Sequence, residues 1–418
     1  KGAARPQPTH GGLVPGRAGD GLVPCMAGSE IGTGSAHCGG ESMSTRGGSE
    51  PTRGRLESVK ISMLARGLKV TDAAMAVLVG SRDEPLSIHE YPTTGGLTLK
   101  LAHDVYVNAP FDEWYCTDAA VSLDHSAGGF ILTEPDEADV PVVHVLPLPG
   151  YLDSKDSAGR LVTDVAMSHT DRVRLSPLAG CAYTCGYCDF HFQPYLLHDQ
   201  RRLIEALDAA IADEDLPVRH MLISGGSPRK AHYDQFMALV GDVVEYATTR
   251  GLETDIMMSP TIDGTGILDE FVRRGATGFS LNIELFSGGA ALEHLGRKYR
   301  VTRDHFAAFL TRAVELLGSG GAVRSLIIPG LETEESTLEG VEWLASFGCW
   351  PVLSPFRPAP ATPVQNMLPP TAAQLTSLLA EARRIVESRG LGLGPTCSPC
   401  QHNTLGFPWD DANAGLVA

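Results

Sequence analysis

From about residue 170 onward, short apolar runs alternate with amphipathic stretches of helical period. The runs "RVRLSPL", "RHMLISG", "ETDIMMS", "GFSLNIEL", "VRSLIIPG" and "WPVLSPF" are bounded by Gly, Pro, Ser or charged residues and read as strands. Between them lie "LIEALDAAIADE", "YDQFMALVGDVVEYATTR", "ILDEFVRRG", "RDHFAAFLTRAVELLG" and "TLEGVEWLASFG", each apolar at helical spacing. A last helix, "TAAQLTSLLAEARRIVESRG", follows the sixth strand. Six strands, each followed by a helix, predict parallel pairing through right-handed crossovers. The expected fold class is α/β, a partial (β/α)6 TIM-like barrel over residues 169–370, with a C-terminal helix and Cys-x2-Cys extension over 371–418.

The pattern upstream is different. Residues 1–54 are rich in Gly, Ser, Pro and Thr without a hydrophobic period, and read as a disordered or vector-derived segment. Residues 55–168 read as a mixed α/β accessory region. There "LESVKISMLARGL" predicts a helix, and "AAMAVLVG", "LTLKLAHDVYVNA", "GGFILTE" and "VPVVHVLPL" predict short strands.

Composition narrows the classes of partner. The formal charge of the 418 residues is −17, with no Lys- or Arg-rich block, which argues against nucleic-acid binding. Residues 1–30 hold no apolar run of signal-peptide or membrane-spanning length, so a cytoplasmic location without a membrane partner is expected. Five of the nine cysteines fall in two tight clusters, a spacing that points to metal or redox use. Cys25 and Cys38 sit in the polar N-terminal segment and are set aside as ligands.

The first cluster is "GCAYTCGYCDF", with Cys181, Cys185 and Cys188 at Cys-x3-Cys-x2-Cys spacing. A disulfide needs an oxidising compartment. Structural zinc prefers four ligands in two separated pairs. An iron–sulfur cluster is held by thiolates, and a four-iron cluster with three protein ligands keeps one iron open for chemistry. The other unusual residues fall where strands end: "SGGSP" (224–228), Ser259 and Pro260, Asn282 and Glu284, "PGLE" (329–332), and "SPFRPAP" with Arg357. In β/α barrels the active site is built at those carboxyl ends.

On "CAYTCGYC", "SGGSP", "LNIE" and "IIPGLETEESTLEGVEWL" the sequence resembles the radical S-adenosylmethionine enzymes, over roughly residues 170–360. The resemblance implies a 4Fe-4S cluster on Cys181, Cys185 and Cys188 whose open iron chelates S-adenosylmethionine. One electron would then cleave the sulfonium to methionine and a 5′-deoxyadenosyl radical, which abstracts hydrogen from a substrate. It implies Tyr187 near the adenine, Gly225 and Gly226 at the methionine amino group, and Asn282 and Glu284 at the ribose. Arg300, in the basic stretch "GRKYRVTR", is the expected partner of the methionine carboxylate. Ser227 departs from the family pattern, which usually carries an acidic residue there.

The second cluster, "GPTCSPCQHNTLGFP", holds Cys397, Cys400 and His402. A second iron–sulfur cluster, a zinc clip and an unligated pair all stand, with Cys116 and Cys349 as the remaining sulfur candidates, Cys349 disfavoured by its expected place near the barrel bottom, and His402 as a further donor. The pair is expected to fold back close to the barrel mouth. Asp189, His191 and Tyr195 are candidates for the substrate pocket, and His294 and His305 read as surface helix residues. The leading function is a radical enzyme acting on a small molecule, of the type found in bacterial specialised metabolism, served by an electron donor such as flavodoxin or ferredoxin. A maturase of a ribosomally made peptide and a non-catalytic iron–sulfur or zinc scaffold are the alternatives. Product formation from S-adenosylmethionine separates the scaffold from both enzymes.

Overall fold

The computed structural model describes residues 50–79, 95–261 and 264–411. Backbone contacts divide the chain after Gly47, and all described residues belong to the unit Gly48–Ala418. Cys25 and Cys38 lie outside the described residues, as does nearly all of the expected segment 1–54.

Seven strands form the main sheet: β1 (Ala166–His169), β2 (Arg172–Leu175), β3 (His220–Ile223), β4 (Glu253–Met257), β5 (Gly278–Ser280), β6 (Val323–Ile327) and β7 (Trp350–Leu353). They lie side by side in chain order. β2 to β7 are all parallel, and β1 pairs antiparallel with β2. The order never reverses, unlike a doubly wound sheet, so with crossovers of one hand the connecting helices gather on one face.

Alternation along the strands separates two environments. On one face Val173, Leu175, Met221, Ile223, Phe279 and Ile327 are buried in the main apolar core, against which the connecting helices pack. On the other face Arg172, Leu222, Asp255, Ser280, Arg324 and Val352, one from each parallel strand, line a single cavity of about 860 Å³. Its lining is charged as well as apolar, and Arg324 forms an ion pair with Asp255 across it.

The helices form where their sequences say they should. Ala372–Glu387 starts at a capping box of Thr371 and Gln374. Its Leu375, Leu378, Leu379, Ala382 and Val386 then bury one stripe. Each buried leucine contributes about 1.5–3 kcal/mol, so Leu379→Asp would break the packing of this helix.

Several expectations need correction. "AAMAVLVG" is a helix, Asp72–Val79, rather than a strand. "LTLKLAHDVYVNA" is two antiparallel strands, Leu97–Lys100 and Tyr106–Ala109, split at His103 and Asp104, which both have positive φ. "VPVVHVLPL" likewise contributes two short strands to two different sheets. "GFSLNIEL" is a regular strand only over Gly278–Ser280; beyond it the chain still bonds to β6, from Leu281 N–H to the Arg324 carbonyl and in an isolated parallel bridge of Glu284 with Ile327, and Glu284 has φ 67°. The accessory region is continuous with the rest: β1 crosses the expected boundary at 168 and 169, and the helix Arg53–Arg66 packs on Ala372–Glu387. Among the described residues no helix is long and apolar enough to cross a membrane.

Candidate functional site

The three clustered cysteines lie in the loop that leaves β2. Its base is tied by Leu178–Ala179 pairing with Leu196–Leu197. The "SGG" turn after β3 presses against this loop. A Cβ at Gly226 would sit 1.8 Å from the Gly180 carbonyl oxygen, so only glycine permits the approach. The contact is then fixed by hydrogen bonds. Ala182 N–H donates to the Ser227 carbonyl at 2.9 Å. Ser227 N–H and Tyr183 N–H both point at Cys181 Sγ, at 3.2 and 3.3 Å. Ser227 thus contributes through its backbone, which its side-chain identity does not alter.

Cys185 and Cys188 face drier surroundings. Desolvation pushes the Cys185 thiol up to about 12 and the Cys188 thiol up to about 11. Thiols held this far up do not ionise alone at neutral pH, so they serve as ligands only where a metal displaces their protons. Three thiols on one short loop, one already receiving two N–H groups, fit a 4Fe-4S cluster with three protein ligands. The far side of the loop is closed by the helix Gly288–His294, whose last carbonyl accepts the Gly186 N–H at 2.7 Å. His294 is therefore buried rather than on the surface. His305 is half-buried and caps the helix Arg303–Leu317 through Thr302.

Beside the cysteines, Glu284 gathers two partners. Its carboxylate accepts from the Tyr187 hydroxyl and pairs with Lys298 Nζ at 2.7 Å. Lys298 also donates to the Asn282 carbonyl at 3.0 Å and is 5% exposed. Desolvation and the Glu284 charge hold the Tyr187 phenol well above its ordinary value. Arg300 is exposed, and the cation that the structure brings to this site is Lys298, two residues earlier in the same basic stretch. Asn282 spends its side-chain oxygen on Leu326 N–H and lines the cavity. Glu332 of "PGLE" accepts from Phe286 and Ser287 N–H, at 2.9 and 2.7 Å, bracing the turn that follows Glu284. Tyr195 stacks under Arg229 and accepts the Arg229 N–H, buttressing the glycine turn. Arg357 is half-buried and donates to the Asn108 side chain and carbonyl, joining the chain beyond the last strand to the accessory region.

The second cysteine pair lies elsewhere than expected. Cys397 and Cys400 sit at the amino ends of the strands, opposite the Cys181 loop. They meet Asp171, just before β2, and His220, the first residue of β3. One ligand atom from each of these four residues lies within 4.8 Å of the others. The hydrogen bond with Cys397, aided by Arg172 and His220 against the desolvation, draws the Cys400 thiol well below its ordinary value. His402 is not in this group: it is buried, lies with its ring tilted against that of His169 and turns Nδ1 to the Pro399 carbonyl. Cys116 and Cys349 are buried apart from it, beside the Pro110 and Trp350 carbonyls. Asp171 and His220 were hidden in the sequence because each merely flanks or opens a strand.

No family model matches the chain, and no match is found among curated proteins. Solved structures do resemble it. Coproporphyrinogen III oxidase from Escherichia coli, described as a radical SAM enzyme, is 16% identical, covering 41% of this chain and 41% of that one at a TM-score of 0.33. A radical SAM methyltransferase from Sphaerobacter thermophilus is 14% identical, covering 65% and 75% at a TM-score of 0.41. The FeFe-hydrogenase maturase HydG from Carboxydothermus hydrogenoformans is 15% identical, covering 56% and 57% at a TM-score of 0.42. The chain spans less than half the length of the E. coli oxidase.

Proposed function

We propose that the chain is a radical S-adenosylmethionine enzyme, on a partial (β/α)6 barrel, that acts on a small molecule. The observation that carries this reading is the Cys181–Cys188 loop, locked against the glycine turn at Gly226 with Tyr187, Glu284 and Lys298 on the same edge of the sheet. Cys181, Cys185 and Cys188 would hold a 4Fe-4S cluster. When bound and reduced, such a cluster supplies one electron to S-adenosylmethionine, releasing methionine and a 5′-deoxyadenosyl radical that takes hydrogen from the substrate.

The chain's own residues have distinct tasks. The backbone of Gly225 and Gly226 offers polar groups with no side chain in the way. Glu284 is fixed by Tyr187 and Lys298, yet each carboxylate oxygen keeps a second acceptor site for a ribose hydroxyl. Asn282 keeps its NH2 to offer, since its oxygen is already occupied. Lys298 supplies the positive charge that a carboxylate ligand needs.

A small substrate is supported by the cavity of about 860 Å³, which reaches Asn282 at one end and Cys397 at the other. That volume is typical of small-molecule sites. The cysteine loop does not line it, so Asn282 marks where cavity and cluster edge approach. The Arg324–Asp255 pair and Arg172 suit a polar or charged substrate. A flavodoxin- or ferredoxin-like reductant would deliver the electron.

The test is anaerobic reconstitution with iron and sulfide, reduction, and incubation with S-adenosylmethionine. Wild-type protein should form 5′-deoxyadenosine and methionine, and the Cys181→Ala/Cys185→Ala/Cys188→Ala variant should form neither. Equal product from both would sink the radical reading. No product from either would favour the scaffold alternative.

A further inference from the structure

At the sheet edge opposite the proposed active site, three distant stretches of chain converge on one point. Asp171 comes from the turn between β1 and β2, His220 from the start of β3, and Cys397 and Cys400 from the C-terminal loop. We propose that these four side chains bind one zinc ion, and that this ion clamps residues 396–411 across the lower end of the cavity. The inference does not rest on the radical chemistry proposed above.

Geometry is the first argument. Four ligand atoms within 4.8 Å of one another surround a single point. A tetrahedral zinc with bonds of about 2.0–2.3 Å sets its ligand atoms roughly 3.3–3.8 Å apart, so small side-chain adjustments close the site. His220 Nε2 already lies 2.9 Å from Cys400 Sγ, and Cys397 Sγ lies 3.8 Å from Asp171 Oδ1. A four-iron cluster gives each iron its own ligand and needs those ligands spread around a cube. Donors drawn to one point suit one ion.

Donor chemistry is the second. Two thiolates, an imidazole and a carboxylate are all zinc ligands. Cys-x2-Cys is a knuckle spacing, closed here by the Cys400 N–H donating to the Cys397 carbonyl at 3.0 Å. Four protein ligands leave no open position, and Cys400 and His220 are buried, which marks a structural site.

The surroundings are the third. Arg219 donates twice to Asp171 Oδ2, at 3.0 and 2.9 Å, which leaves Oδ1 turned toward Cys397. The same guanidinium reaches Cys397 Sγ at 3.5 Å. Such outer contacts orient ligands in metal sites. Three anionic ligands around a divalent ion leave one excess negative charge, and Arg219 offsets it.

The clamp has a mechanical consequence. Thr396, Cys397 and Cys400 line the cavity, so fixing them closes its lower end. Lys60, fully buried, donates to the Gln401 and Gly406 carbonyls at 3.0 and 2.6 Å and anchors the segment just beyond the metal.

Elemental analysis of the full chain as purified tests the site, with zinc alone as the added metal. The expected result is one zinc per chain. Cys397→Ser/Cys400→Ser should lose it while the iron bound at the Cys181 loop stays unchanged. Asp171→Asn and His220→Gln should each weaken zinc binding at least tenfold in a competition titration with a chelator. If the double variant does not fold, cobalt exchanged into wild-type protein should show tetrahedral d–d bands and a charge-transfer band with the intensity of two thiolates. Zinc retained by the double variant, cobalt without thiolate bands, a Cys397–Cys400 disulfide in place of metal, or iron in place of zinc would each overturn the proposal.

Discussion

The two edges of the sheet carry two cysteine groups built on opposite plans. At the carboxyl edge, three thiols arrive on one loop of eight residues, Cys181 to Cys188, and neighbouring elements only press the loop into shape. At the amino edge, two thiols arrive on one loop, and the other donors come from strand starts far away in sequence. The difference separates a site encoded locally from one that exists only after folding. A local site needs its glycines for close approach, whereas an assembled site needs the whole sheet in register.

Substitutions that break one edge should spare the other. Replacing Cys181, Cys185 and Cys188 with alanine should remove all cluster iron and all 5′-deoxyadenosine formation, while zinc content stays at the wild-type level. Iron analysis and chromatography read both. Equal loss of zinc would mean the two edges fold as one cooperative unit with the cluster.

Gly226→Ala should be nearly as severe for the first edge, although it removes no ligand. Its new methyl would meet the Gly180 carbonyl 1.8 Å away and would also lie 2.9 Å from the Cys181 Cα. Overpacking of this kind costs about 1–3 kcal/mol, and the strain falls on the loop carrying Cys181. Most cluster iron should be lost, while Gly288→Ala, where nothing lies within 4 Å, should keep wild-type iron. Full iron in Gly226→Ala would show that the loop can retreat.

A smaller effect is expected beside the cluster. Glu284→Gln should weaken S-adenosylmethionine binding about ten- to a hundred-fold, the value of a charge-assisted hydrogen bond of ~1.5–3 kcal/mol, with iron content unchanged. An unchanged dissociation constant would remove Glu284 from the cofactor site.

A separate effect, on stability rather than on activity, concerns the anchor at the second edge. Burial draws the Lys60 ammonium down to about 7. Its folded value lies below its unfolded one, so between about pH 7 and 10 the unfolded chain binds more protons and folding stability rises with pH. The penalty of burying the charge is fully present below pH 7. Lys60→Met should flatten that rise in chemical denaturation midpoints, and an unaltered slope would place the titration elsewhere.

What the sequence made legible follows the same division. The strands and helices of the main sheet came through because apolar period and terminal caps agree, as at Thr371 and Gln374. The cysteine triplet was visible in the sequence because its three residues lie within eight positions of one another. "AAMAVLVG" misled, since a short apolar run fits strand and helix alike; Thr71 Oγ1, accepting the Ala74 N–H at 3.2 Å, starts it as a helix. Alternation overran the strand, which is regular only over Gly278–Ser280, although Glu284, with its left-handed backbone, still bridges to Ile327 of β6. Lys298 was hidden among neighbouring cations that differ from it only in burial. Asp171 and His220 gave no local signal because their meaning depends on which chain end folds beneath them.

Electron paramagnetic resonance of the reduced, reconstituted protein, recorded with and without S-adenosylmethionine, tests the central claim most directly. An iron left open by only three cysteine ligands should bind the cofactor and change the spectrum of the reduced cluster, and 5′-deoxyadenosine should accumulate in the same sample. A cluster spectrum that S-adenosylmethionine leaves unchanged, with no nucleoside released, would contradict the account.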